Sequence, residues 1–199
     1  MFVKNPKKNR SRRRFLGLAV GASAGGLLIT DVRPVESVGM DQVEFEPFDR
    51  DTRIDIGNGG DEMIKRAYRK GYEYEDKYRG CARCTVAALQ DALEFIPKSK
   101  DVFRTACCLD GGATPSNVQN CGAFTGSGII IGYICGTDRF GNTGLSHNLI
   151  HQVYKRFKEK YGSVLCRDVR EKGGSCPEVV GKAAGWAAEV IIRQFTNYE

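Results

Sequence analysis

Histidine is almost missing from this chain: 199 residues contain two, His147 and His151. That scarcity limits every mechanism that needs imidazole as base, acid or metal ligand. Long apolar runs are scarce too. Beyond the N-terminal 30 residues the longest run that is nearly all apolar or glycine, broken only by Thr125 and Ser127, is 123–135, thirteen residues, against the roughly 20 a membrane helix needs. Strand-like alternation and internal repeats are absent. The glycine-rich segment 109–120 lacks a following G-K-[ST] and a preceding strand, so it is not a phosphate cradle. No acid/base pair or nucleophile triad stands out. Net charge misleads at first sight: the formal value is +6, but residues 1–24 hold seven basic side chains and no acid. Without them 23 basic residues face 24 acidic ones, which removes the electrostatic case for nucleic-acid binding by the body of the chain.

What is abundant is cysteine. Eight occur, at 81, 84, 107, 108, 121, 135, 166 and 176, too sparse for a small disulfide scaffold yet well above ordinary usage. None lies in the leader, which excludes a lipoprotein anchor. The leader itself, Ser11-Arg12-Arg13-Arg14-Phe15-Leu16-Gly17 followed by an apolar run to residue 29 and Ala22-Ser23-Ala24, resembles a twin-arginine export signal. It implies a periplasmic or otherwise exported protein, the twin-arginine translocase as a partner, and membrane contact only through the uncleaved signal. That route carries folded proteins, often with a cofactor inserted beforehand.

The rest reads as residues 1–30 signal, 31–60 linker and 61–199 an all-α domain. Residues 61–78 form a helix with Asp61 as N-cap and a stripe of Ile64, Tyr68, Gly71, Tyr72 and Tyr78 packed inward. Residues 81–96 form a second, with Ala82, Val86, Leu89, Leu93 and Ile96 facing the core and Pro97 stopping it. A short helix over 100–109 carries Cys107 and Cys108. The run 121–136 is a buried Gly-rich helix, with a strand over 128–134 as the competing reading. Helix 145–161 sets Leu149, Ile150, Val153, Tyr154, Phe157 and Tyr161 in one broad stripe with Lys155, Lys158 and Lys160 opposite, and Gly162 ends it. Cys166 opens a short turn of helix, and Cys176-Pro177 opens the last helix, which buries Val179, Val180, Ala183, Ala184, Ala187, Val190, Ile191 and Phe195. The expected fold is a compact bundle of five to seven helices around the Gly-rich helix. His147 and His151 sit four apart on a face that continues to Lys155 and Lys158, which favours a solvated pair over a metal site.

Four segments, YRGCA (78–82), NCGAFTG (120–126), YGSVLCRDV (161–169) and CPEVVGKAA (176–184), resemble the C-GCAxxG-C-C family of redox-active proteins. The resemblance covers about residues 61–196. It implies a helical domain with a redox role, related to the C-terminal domain of split-Soret cytochromes, where an iron–sulfur centre is found. Carried over, the family cysteines are Cys81, Cys121, Cys166 and Cys176, each near an expected helix start, where the backbone dipole favours thiolate. The first expectation is an electron-transfer or redox accessory protein with a [2Fe–2S] cluster on those four. A metal-free thiol–disulfide oxidoreductase using Cys81 with Cys84 or Cys121 stays open, as does a binding module stapled by disulfides, so whether the protein is an enzyme stays open as well. Covalent haem is not expected, because Thr85 stands where C-x-x-C-H requires histidine. A redox partner protein and a second copy of the chain are the partners allowed for. Cys107, Cys108 and Cys135 suit buried inert thiols. Cys135 should lie roughly 20 Å from Cys121 along the helix.

Overall fold

The computed structural model describes residues 45–113, 115–138, 140–172 and 174–199. The leader and residues 31–44 lie outside the described residues. Seven helices follow in order: α1 (Gly60–Tyr78), α2 (Cys81–Ala92), α3 (Lys100–Thr105), α4 (Gly122–Cys135), α5 (Gly144–Tyr161), α6 (Cys166–Glu171) and α7 (Cys176–Phe195). Among the described residues there is no strand, only two isolated bridges, Ile54 with Thr196 and Asn120 with Leu165. The all-α expectation holds, and 128–134 is helical.

Two helices share the centre. α7 packs on α1, α2, α4 and α5, and every residue expected on its inner face is buried, joined by Gly181, Gly185, Ala188 and Ile192. Its small residues let α1 come close: a Cβ on Gly71 would stand 3.0 Å from the Val180 carbonyl and 3.2 Å from the Ala184 methyl. α4 is buried along Ala123, Ser127, Ile130, Ile131 and Ile134. It is not covered all round, since Gly132 is exposed.

Three expectations need correction. The buried stripe of α1 is Ala67, Gly71 and Glu75, so Tyr72 and Tyr78 are left exposed. Close packing on α7 favours small residues there, and the tyrosines are too large for it. α2 stops at Ala92 rather than at residue 96, because Arg66 of α1 donates to the Ala92 carbonyl (3.1 Å from Nε) and takes the place of the next helical amide. Leu93 and Ile96 stay buried beyond the helix end. α3 unwinds into three-residue turns at 105–108, with Ala106 donating to Phe103 and Cys107 to Arg104. Cys107 and Cys108 are thereby exposed; only Cys135 of the three is buried, its thiol on the Ile131 carbonyl at 3.1 Å.

Residues 45–59 carry no period yet are packed on the bundle. Phe45 stacks near Tyr133 and Phe48 near Phe195, at 5.3 and 5.2 Å between ring centroids. The Phe48 amide donates to Ile134 and that of Ile54 to Phe195. The helix start at Gly60 is capped from Gly59, and Asp61 instead accepts from the Tyr198 hydroxyl at 2.5 Å. No helix among the described residues is long and apolar enough to cross a membrane.

Candidate functional site

Four helix starts meet at one cavity. Cys81 is the first residue of α2, Cys166 of α6 and Cys176 of α7, and Cys121 is the N-cap of α4. All four line a cavity of about 220 Å³ together with Glu75, Asp110, Asn117 and Arg170. All eight cysteines are free thiols. The four stand around the cavity and do not meet at a point. Among the described residues no three His, Cys, Asp or Glu side chains gather closely enough to share a single metal ion.

Backbone hydrogen bonds hold two of the four, Cys121 and Cys166, in register. The Cys121 amide donates to Val164 (2.7 Å), that of Cys166 to Gln119 (2.8 Å) and that of Arg167 to Asn117 (2.9 Å), which locks the approach to α4 against the approach to α6. Gly112, at φ +74°, lies where a Cβ would strike the Cys166 Cβ at 2.8 Å, so the loop passes this close only with glycine there. Asn117, also left-handed at φ +62°, turns its side chain to Arg170, whose Nη1 donates to Oδ1 at 3.1 Å.

Asp110 is a site residue that periodicity could not find. Gly80 has no side chain with which to cap α2, and Asp110 supplies the acceptor from the loop: the Ala82 amide donates to Oδ1 at 2.7 Å and Arg83 Nε to Oδ2 at 3.1 Å. The Asp-Gly-Gly sequence was the only available signal, and it reads equally well as an ordinary turn. Asp110→Ala is expected to lower stability by about 1–2 kcal/mol in urea denaturation, as loss of an N-cap does. Asp110→Asn, which keeps an acceptor for Ala82, should retain most of it.

The thiols are not alike. Cys81 has its pKa lowered, first because the Cys121 thiol donates a hydrogen bond to its sulfur, with the Gly111 amide helping against burial. Cys121 is pushed well up as the donor in that bond and by burial. The two sulfurs thus hold one proton between them once Cys81 ionises. Cys166 and Cys176 are raised, mainly by burial. Only Cys81 shows the lowering expected at a helix start, and its hydrogen bonds produce it; donation to Cys81 overrides the expectation at Cys121, and desolvation does so at Cys166 and Cys176.

Cys84 is not brought to this cavity. It lines a separate groove, and burial followed by the Glu75 charge pushes its thiol up to about 12. Its sulfur lies 3.5 Å from the Arg79 carbonyl. Cys135 sits at the opposite end of α4 from Cys121, as the helical spacing requires. His147 and His151 are both exposed, His151 stacked on Tyr154 at 5.6 Å.

Glu75 is the other residue missed. It is 4 % exposed, yet its Oε2 has no hydrogen-bond partner. Burial raises its pKa, and the hydrogen bond from Cys84 only partly offsets this. Because the folded-state pKa lies above the unfolded value, the buried charge penalises the fold above the folded pKa, and that penalty is relieved as pH falls through it. Glu75→Gln is therefore expected to be the more stable form at about pH 8, with its advantage vanishing towards about pH 4. Urea midpoints of both proteins across that range measure it; a constant offset would contradict the assignment.

The sequence comparisons agree with this arrangement. No curated protein and no solved structure matches the chain. The family model described as "Putative redox-active protein (C_GCAxxG_C_C)" matches residues 80–190, a span that starts at the cap of α2 and takes in all four cavity cysteines. The chain belongs to the C_GCAxxG_C_C family.

Proposed function

We propose that this is an exported redox protein that holds a [2Fe–2S] cluster on Cys81, Cys121, Cys166 and Cys176. The observation that carries the reading is the convergence of four free thiols, each from a helix start, on one cavity of about 220 Å³. That volume exceeds the roughly 150 Å³ of an engineered cavity that accepts benzene, so it suits a small polyatomic group better than a lone ion. The donor set fits. A [2Fe–2S] cluster takes four cysteines, two per iron, and does not require three side chains on one ion. Such a cluster supplies reversible one-electron transfer. The chain's own part is to present the sulfurs and tune them. The Gly111 amide favours a charged Cys81 sulfur, and Arg170 lines the cavity as the nearby positive charge. The twin-arginine-like leader supports export, since that route accommodates a cofactor inserted before translocation. Iron and inorganic sulfide, in equal amounts, are expected in protein purified without oxygen from cells with intact cluster assembly. Their absence would sink the reading.

One observation favours a second reading. The hydrogen bond from the Cys121 thiol to Cys81 makes these two a ready dithiol, with Cys81 the more easily ionised. On that reading iron-free protein reversibly loses the Cys81 and Cys121 thiols to a disulfide when treated with an oxidised dithiol. Cys84 then plays no part.

A further inference from the structure

A second concavity, between α1, α2 and α3, is not used by the four-cysteine site. Its volume is about 330 Å³, and it is lined by the rings of Tyr74, Tyr78 and Phe103, by Arg79 and Arg83, and by Cys84. Small-molecule sites begin at about 300 Å³, so this one suits one or two fused rings. Two of these aromatic residues are exposed, Tyr78 at 62 % and Phe103 at 37 %, and Tyr74 is half-buried. Tyr74 and Tyr78 lie 6.1 Å apart and tilted, and each carries a lysine over its ring, Lys70 at 5.4 Å and Lys77 at 5.0 Å.

The charges in the groove are nearly all accounted for. Asp91 accepts from the Tyr74 hydroxyl at 2.7 Å and pairs with Lys98. Arg83 pairs with Asp110 at 3.1 Å. Arg79 is the exception: buried Glu75 feels its charge, but among the described residues no ion pair or side-chain hydrogen bond holds the guanidinium. Its backbone is also strained. At φ 59° and ψ 160° it occupies a region that is essentially glycine's, at a cost of about 1–3 kcal/mol. Gly80 next to it, at φ +103°, adopts its left-handed turn freely. A glycine at 79 would relieve the strain, and only the arginine side chain is gained by keeping it.

We propose that this groove binds a planar aromatic anion of one or two rings, stacked against Tyr74, Tyr78 and Phe103 with its charge on Arg79. Ring stacking supplies the aromatic selectivity, and the unpaired guanidinium supplies selectivity for an anion. The site is independent of what the four cysteines hold, so its test does not depend on iron content.

The test is calorimetric titration of the full chain with naphthoate, alongside naphthylmethanol, which lacks the charge, and cyclohexanecarboxylate, which lacks the rings. Naphthoate should bind saturably and each analogue at least about tenfold more weakly. Arg79→Gly should weaken naphthoate about tenfold without lowering the unfolding midpoint, a combination that a merely structural arginine would not give. Tyr78→Ala, an exposed substitution that leaves the core intact, should weaken it similarly. No saturable binding at millimolar naphthoate, or equal binding by Arg79→Gly, overturns the proposal. So does binding of an acidic peptide where naphthoate fails, which would assign the groove to a protein partner.

Discussion

Cys121→Ser is expected to strip iron and inorganic sulfide from protein purified without oxygen, while Cys135→Ser leaves both at the wild-type level. The two residues bracket the same helix, and both are buried. They differ in what surrounds them. Cys121 lines the four-cysteine cavity and exchanges a proton with Cys81. Cys135 has only the Ile131 carbonyl, and burial pushes its thiol up to about 11, as befits an inert small side chain. Serine at 121 keeps an O–H that can still donate to the Cys81 sulfur, whereas alanine does not. If the cavity holds a cluster, both replacements lose iron together. If the working group is the Cys81–Cys121 dithiol, iron is absent from the start. Serine then preserves the easy ionisation of Cys81, alanine abolishes it, and the rate of Cys81 alkylation against pH separates the two. Equal iron in wild type and in Cys121→Ser would rule out Cys121 as a ligand.

The helices were largely legible because their signals are local. Apolar spacing marked α5 and α7, Gly162 marked the end of α5, and Pro177 fell in the first turn of α7 with Ser175 accepting from the Glu178 amide. The four cavity cysteines were legible for a different reason: each opens a helix, and a motif records position along the chain. What periodicity missed was set by contacts between elements. The end of α2 depends on Arg66 from another helix, and the cap of its start depends on Asp110 from a loop 28 residues on. Glu75 looked like one more charge on a highly charged helix. Its burial follows from Gly71 one turn earlier, which draws α1 down onto α7. The exposure of Cys107 and Cys108 follows from the unwinding of α3, a helix with no buried residue to hold it. A cysteine's apolar character says little where no core is nearby to receive it.

Two glycines of α4 should respond in opposite directions to the same substitution. A Cβ on Gly126 would sit 2.6 Å from the Ala82 carbonyl oxygen and 2.8 Å from the Thr85 Cβ, closer than real side chains approach. Ala82 is fully buried, its amide tied to Asp110, and Thr85 is pinned by its hydroxyl to the Cys81 carbonyl at 2.8 Å. Neither neighbour is a flexible side-chain end, so α2 itself must move. Gly126→Ala is therefore expected to destabilise by about 1–3 kcal/mol, and to disturb the cavity as well, because the displaced turn of α2 begins at Cys81. A Cβ on Gly132 meets nothing within 4 Å. There alanine only restricts the unfolded chain and improves helix propensity, a gain of about 0.5–1 kcal/mol. The sites are six residues apart, about 9 Å along the axis, and share no neighbour within 4 Å, so the double variant should show close to the sum of the two effects. Urea midpoints on the three proteins measure the stabilities, and alkylation of Cys81 in the folded state reports whether α2 has shifted. If both single variants gained stability, α2 would not lie against Gly126, and the route by which Cys81 reaches the cavity would have to be redrawn.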